Sequence, residues 1–199
     1  MSDNAKNLSS TVWAEALNSL FNDDHEQNRF FLSDAETEAV SFLHPEKWPS
    51  TGQTYINWDL SVQGRDYTFS PPDNRILQPT DSEHFRPDAM VLGRALFSDL
   101  EPLLHPLFRH TADTVWEVLD TWKLSRAVLH IAKGWPVSPG HLCMHEAGGF
   151  FWGEGNHRYE VLKRSGSPCF YFLALPDDVV SIGYFLAVEW MEGCSARTS

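Results

Sequence analysis

The chain has 199 residues, 42% hydrophobic and 13% aromatic, which supplies a packed core and argues against disorder. The formal net charge is −12, from 15 Lys and Arg against 27 Asp and Glu. That balance argues against general nucleic-acid binding, which draws much of its affinity from a basic face, but leaves room for a local basic pocket.

No apolar run approaches the roughly 20 residues that span a bilayer. The start of the chain, with Asp3, Asn4 and Lys6 ahead of Trp13, lacks the cationic and apolar blocks of a signal peptide. The expectation is a cytoplasmic protein without a membrane segment. Cys143, Cys169 and Cys194 form no C-x-x-C pair, so reduced thiols fit better than a disulfide scaffold.

Taken in chain order, residues 11–21 read as a first helix, with Val12, Ala16, Leu17 and Leu20 near one face. Ser33-Asp34-Ala35-Glu36 is a capping box that opens a second helix ending near His44, with Val40 and Leu43 facing inward. Residues 45–81 are punctuated by Pro49, Gly52, Gly64, Pro71, Pro72 and Pro79, around short strand or extended candidates at 55–58 and 67–69. Pro87 is placed for a helix start, and the segment to Phe97 is apolar enough to pack as that helix. Ser98-Asp99-Leu100-Glu101 reads as another capping box. The strongest helical pattern covers 113–133, through Val115, Val118, Leu119, Trp122, Ala127, Leu129 and Ile131, and stops at Gly134.

Short strands at 141–146 and 150–153 flank Ala147-Gly148-Gly149, a hairpin signal. A helix over 156–165 follows, closed by Gly166, and 169–175 and 181–190 read as buried strands on either side of Pro176-Asp177-Asp178. The expected fold is α+β. It divides into an N-terminal helical and loop-rich extension, 1–82, and a second domain, 83–199.

The segment Gly153-Glu154-Gly155-Asn156-His157-Arg158 carries the most chemistry. An apolar strand enters, two glycines allow a sharp bend, Asn156 is a favoured N-cap, and a helix leaves. Free N–H groups of a first helical turn favour an anion. Arg158 can hold one through two parallel hydrogen bonds, and His157 can donate a bond or move a proton near neutral pH. A plain structural turn, with Arg158 paired to Glu160 or another acid, is the alternative on spacing alone.

With the loop Gly134-Trp135-Pro136-Val137-Ser138-Pro139 before it and Arg164-Ser165-Gly166 after it, this turn resembles the core of the ParB/sulfiredoxin superfamily over residues 123–175. The resemblance implies a small mixed sheet with helices, and nucleotide phosphates cradled by Gly155, Asn156, His157 and Arg158. Departures narrow what it implies. Asn156 stands where sulfiredoxins carry their reactive cysteine, so sulfinic-acid repair is disfavoured. ParB partition proteins carry Gly-Glu-Arg-Arg with a downstream helix-turn-helix, so centromere clamping is disfavoured too. The kinase-like branch fits best, with Glu154 in place of its usual Asp.

The resemblance therefore implies a nucleotide-dependent phosphotransferase acting on a small molecule, using ATP, ADP or CTP with Mg²⁺. In that scheme His157 and Glu154 are the catalytic candidates, Glu154 orients the turn or helps hold Mg²⁺, and Lys123 on the preceding helix faces the phosphates. The base for the acceptor hydroxyl stays open among Glu83, Asp88 and Asp99. Two alternatives are a non-catalytic acidic binding protein that regulates a basic protein partner, and a ParB-like nuclease.

Other polar clusters read as structural. His141, Cys143 and His145 would share one strand face, a transition-metal trio on paper but more simply a polar strand surface. His105 and His110 read as surface histidines, Cys169 as a buried inert thiol, Trp116 and Trp122 as core, and Arg126 beside Lys123 as a solvated helix cation.

Overall fold

The strands β1 (Val91–Leu96), β2 (Gly140–Met144), β3 (Phe150–Glu154), β4 (Cys169–Ala174) and β5 (Glu189–Trp190) form one mixed sheet in the order β3-β2-β4-β1-β5. The computed structural model describes residues 32–62 and 89–191, all within one unit, Leu32–Ser199. The expected helix at 11–21, the strand at 67–69, Pro87, Glu83, Asp88 and Cys194 lie outside the described residues. Six α-helices accompany the sheet among the described residues: α1 (Asp34–Val40), α2 (Phe97–Leu100), α3 (Val115–Val118), α4 (Thr121–Ala132), α5 (Asn156–Leu162) and α6 (Val179–Phe185). The fold is α+β, and no described helix is long and apolar enough to cross a membrane.

The central strand β4 pairs antiparallel with β1 and parallel with β2, and the β2–β3 hairpin turns on Gly148 and Gly149, both at positive φ. One sheet face carries Ala95, Leu142, Trp152, Phe170 and Phe172 into the main core. There they meet Leu124, Val128 and Ile131 of α4, and Val161 and Leu162 of α5. The other face holds a small cluster of Met90, Leu92 and Leu173. Val40, Trp48 and Ile56 pack into the main core from the first described segment.

Several sequence expectations hold in detail. Ser33 and Glu36 form the reciprocal capping box of α1. Gly134, at φ 67°, ends α4, and Gly166, at φ 90°, closes the turn after α5.

Others are corrected. The 113–133 helix is broken, because Leu119 is extended and the Asp120 side chain accepts the Lys123 amide at 2.8 Å, capping a new helix. The segment before Phe97 is strand β1, not a helix. Gly93 belongs there because a Cβ at that position would lie 2.6 Å from the Phe172 ring. Ser98 caps nothing: it sits inside α2 and donates to Asp99 at 3.0 Å, while Glu101 is drawn to Tyr159 and Lys163.

The first half of the strand expected over 181–190 is helix α6, and only Glu189–Trp190, β5, is strand. Ile182 is the buried position of α6, and Leu186, the C-cap one turn on, is buried beside it. The exposed Val180, Tyr184 and Phe185 are what made the run look like a buried strand. The helix expected over 156–165 ends at Leu162.

Candidate functional site

The 153–158 turn forms where β3 meets α5. His141 pairs with Glu154 and Leu142 with Trp152, so Gly153 is an extra residue, a bulge in β3. Glycine suits it: a Cβ there would sit 2.9 Å from Cys143 Sγ and 3.0 Å from His141 Nδ1, so one of those side chains would have to shift. Gly155, at φ 90°, is the N-cap of α5, so Asn156 is the first helical residue and not the cap. A Cβ on Gly155 would meet Gly140 Cα at 2.9 Å and Arg158 Nη2 at 3.0 Å. The turn is thus pressed against β2 with the Arg158 guanidinium tucked beneath it.

Arg158 Nη1 donates to Ser138 Oγ, and the guanidinium forms no ion pair with a carboxylate among the described residues. Burial lowers its pKa to about 10, and Glu154 acts in the opposite sense. Burial raises the Glu154 carboxyl, while the positive charges of Arg158 and Lys123 pull it down. His157 is pushed down to about 4, first by burial and then by Lys123, with Asp120 opposing. Lys123, on the first turn of α4, is therefore close enough to act on both Glu154 and His157. The structure brings Lys123, Glu154, Gly155, Asn156, His157 and Arg158 into one neighbourhood.

Three of the five buried side-chain atoms without a hydrogen-bond partner among the described residues belong to this stretch, the other two being His110 Nε2 and Glu160 Oε1. Trp152 Nε1, Asn156 Oδ1 and His157 Nε2 are buried without a hydrogen-bond partner. Such atoms are rare in folded proteins and each costs free energy unless a ligand or water satisfies it. Arg158 lines a cavity of about 10 Å³ with Ser138, Gly140, Trp152 and Gly155, with Trp58 and Tyr171 along its wall. That volume holds about one water molecule. Trp58 and Tyr171 meet edge to face at 5.2 Å, and the segment carrying Trp58 is tied down by Val137 N–H to Asn57 O (2.8 Å) and Asp59 N–H to Val137 O (3.0 Å).

Behind this turn lies a network that the sequence did not single out. Glu160, with 0% exposure, ion-pairs with Arg164 and lies 3.0 Å from Lys163 Nζ. Its Oε1 is off the line for a hydrogen bond to that ammonium. Lys163 also donates to Glu101 (2.9 Å), which accepts the Tyr159 hydroxyl at 2.7 Å. Lys163 and Arg164 both donate to the His110 carbonyl, at 3.2 and 3.0 Å. Glu160 thus takes Arg164 rather than Arg158, which leaves Arg158 free of the pairing expected for a plain turn. The signal available in the sequence was the i, i+3 and i, i+4 spacing of Glu160, Lys163 and Arg164.

The remaining candidates disperse. His141 and Cys143 are neighbours, with Sγ 3.4 Å from Nε2, but His145 turns away to stack on His105 at 4.0 Å. Burial pushes the Cys143 thiol up to about 11 and lowers His141. Among the described residues no three His, Cys, Asp or Glu side chains are grouped to hold a metal ion. His110 is not a surface residue: it is 7% exposed, and burial lowers its pKa. Cys169 is half-buried and accepts a hydrogen bond from Arg94 at 3.4 Å, so it is not sealed in the core. Trp116 packs against the core as expected, whereas Trp122 is exposed and carries Arg126 over its ring at 4.4 Å.

Compared with protein-family models, curated proteins and solved structures, the chain matches none.

Proposed function

We propose that this chain binds the phosphate groups of a nucleotide at the 154–158 turn, in the manner of ParB/sulfiredoxin-like proteins, and serves phosphoryl transfer to a small molecule. The observation that carries the proposal is the Arg158 guanidinium, desolvated and without a carboxylate partner among the described residues. A cation withdrawn from water is costly unless paired, and a phosphate is the bidentate partner its planar fork fits. Lys123 adds a second positive charge whose field reaches Glu154 and His157 of the same turn. With Arg158 it would neutralise the charge that phosphoryl transfer develops.

Glu154, raised by burial, is the carboxylate at this turn suited to receive the acceptor's proton. His157 is neutral at pH 7 and acts as a hydrogen-bonding group rather than a proton carrier. Mg²⁺ would arrive on the phosphates, since it keeps several waters and needs few protein ligands. The cavity beside Arg158 is smaller than a phosphate, so binding there requires its lining to open.

Thermal unfolding with ATP, ADP and CTP in the presence of Mg²⁺ tests the proposal. At a hundredfold excess over Kd a bound nucleotide stabilises by about 2.7 kcal/mol, or roughly 5–10 °C for a chain of this size. Arg158→Ala should abolish the rise. No rise with any nucleotide, or an equal rise in the variant, would sink the proposal.

A further inference from the structure

Away from this turn, Phe42 presents a different kind of surface. It follows α1 with φ 62°, in the left-handed region, where it is the single non-glycine among the described residues. That conformation is strained for an L side chain, yet the ring is not buried in exchange: Phe42 is 71% exposed. Its ring rests on Trp116, with centroids 5.7 Å apart, and Trp116 meets Trp48 edge to face at 5.8 Å. Both indole N–H groups donate to the Leu43 carbonyl, at 3.0 Å from Trp48 and 2.7 Å from Trp116. The platform under Phe42 is therefore fixed at several points.

Two acidic side chains gather at His44, two residues along the chain. His44 lies 3.7 Å from Glu46 and 3.8 Å from Asp113, whose side chains are 87% and 89% exposed. Neither carboxylate pairs with a Lys or Arg among the described residues. The same aromatic group already accommodates a cation from inside, since the Arg164 guanidinium lies 5.9 Å from the Trp48 ring.

We propose that Phe42 is the apolar anchor of a docking surface for a Lys- and Arg-rich amphipathic segment of a partner protein. Apolar side chains of the segment cover Phe42, while its cations pair with Glu46 and Asp113 or stack on the ring. The whole-chain charge of −12 steers such a partner in and disfavours acidic ones. An exposed aromatic held on a rigid support is the kind of residue that dominates interface energetics.

The test uses the full chain and a short fluorescein-labelled peptide of alternating Lys and Leu, followed by anisotropy at fixed salt. Phe42→Gly should weaken binding about tenfold while raising the urea midpoint, because glycine adopts positive φ without strain. A purely structural Phe42 would not move the two readouts in opposite directions. The pair Glu46→Gln and Asp113→Asn should weaken binding and flatten its salt dependence. Absence of binding to the wild-type chain, undiminished binding by Phe42→Gly, or equal binding of a Lys-Ser peptide would each overturn the proposal.

Discussion

Acidification offers a direct measurement of the environment around His157. Its ring titrates at about 4 in the fold against 6.5 ordinarily, chiefly because burial disfavours the imidazolium. Above pH 6.5 both folded and unfolded states hold it neutral, and stability does not depend on it. Between 6.5 and about 4 the unfolded chain takes up a proton that the fold refuses, so stability falls as pH falls. Below about 4 both states are protonated and the loss is constant. At about 1.4 kcal/mol per pH unit the whole interval amounts to about 3 kcal/mol. Solvent around a half-buried ring reduces that to on the order of 1–2 kcal/mol. His110, His130 and His141 are lowered by burial as well and add slope in the same direction. The assay is urea unfolding from about pH 7.5 to 4.5 at constant ionic strength, for the wild-type chain and His157→Gln. The wild-type curve should fall more steeply, by the His157 contribution. Parallel curves would mean that the ring is solvated, and the neutral role assigned to it would fail.

Two substitutions probe the packing that holds the turn. Glu160→Gln leaves Lys163 and Arg164 without their buried carboxylate and should cost about 3–5 kcal/mol in urea unfolding; a loss below about 1 kcal/mol would show the network to be solvated. Gly155→Ala adds a clash with Gly140 to the strain of positive φ, for a total of about 2–5 kcal/mol. Gly148→Ala is its control: φ is also 90° but nothing lies within 4 Å, so about 1–2 kcal/mol of strain should be its whole effect. Equal losses at the two glycines would remove the inference that the turn is pressed against β2.

What the sequence disclosed was local and what it concealed was tertiary. The Ser33–Glu36 box, the Gly148-Gly149 hairpin and the Gly134 stop are each decided by hydrogen bonds or dihedral preferences within a few residues. β1 was hidden because its glycine and arginine break the alternation. Gly93 is there to admit the Phe172 and Trp190 rings from neighbouring strands, and Arg94 to reach Glu189 and Cys169 across them. α6 was hidden because its solvent face is apolar, a pattern that period analysis assigns to burial. Of the site, the bend between β3 and α5 was legible from the strand–turn–helix order, whereas the approach of Lys123 to it from α4 was not. The Ser138 and Trp58 contacts to the Arg158 pocket were not, since they arrive from loops distant in sequence.

The glycines drew attention to the 153–158 turn, yet packing accounts for them. Gly153 makes room for His141 and Cys143, and Gly155 lets the chain turn against Gly140. Both would be favoured in a turn that binds nothing, so glycine content is weak support for a ligand. Packing does not account for the Arg158 guanidinium, which Ser138 meets with a single hydroxyl, or for the three unpaired polar atoms of Trp152, Asn156 and His157. A chain that needed only a tight turn could place a methionine at 158 and avoid the desolvated charge, as replacement of buried ionic groups by apolar ones is commonly neutral or stabilising. The case for an anion therefore rests on the arginine rather than on the glycines. Arg158→Met separates the two: a phosphate site predicts a variant of near wild-type stability that nucleotide no longer stabilises, whereas a structural arginine predicts a loss of about 2 kcal/mol or more with nothing else to lose.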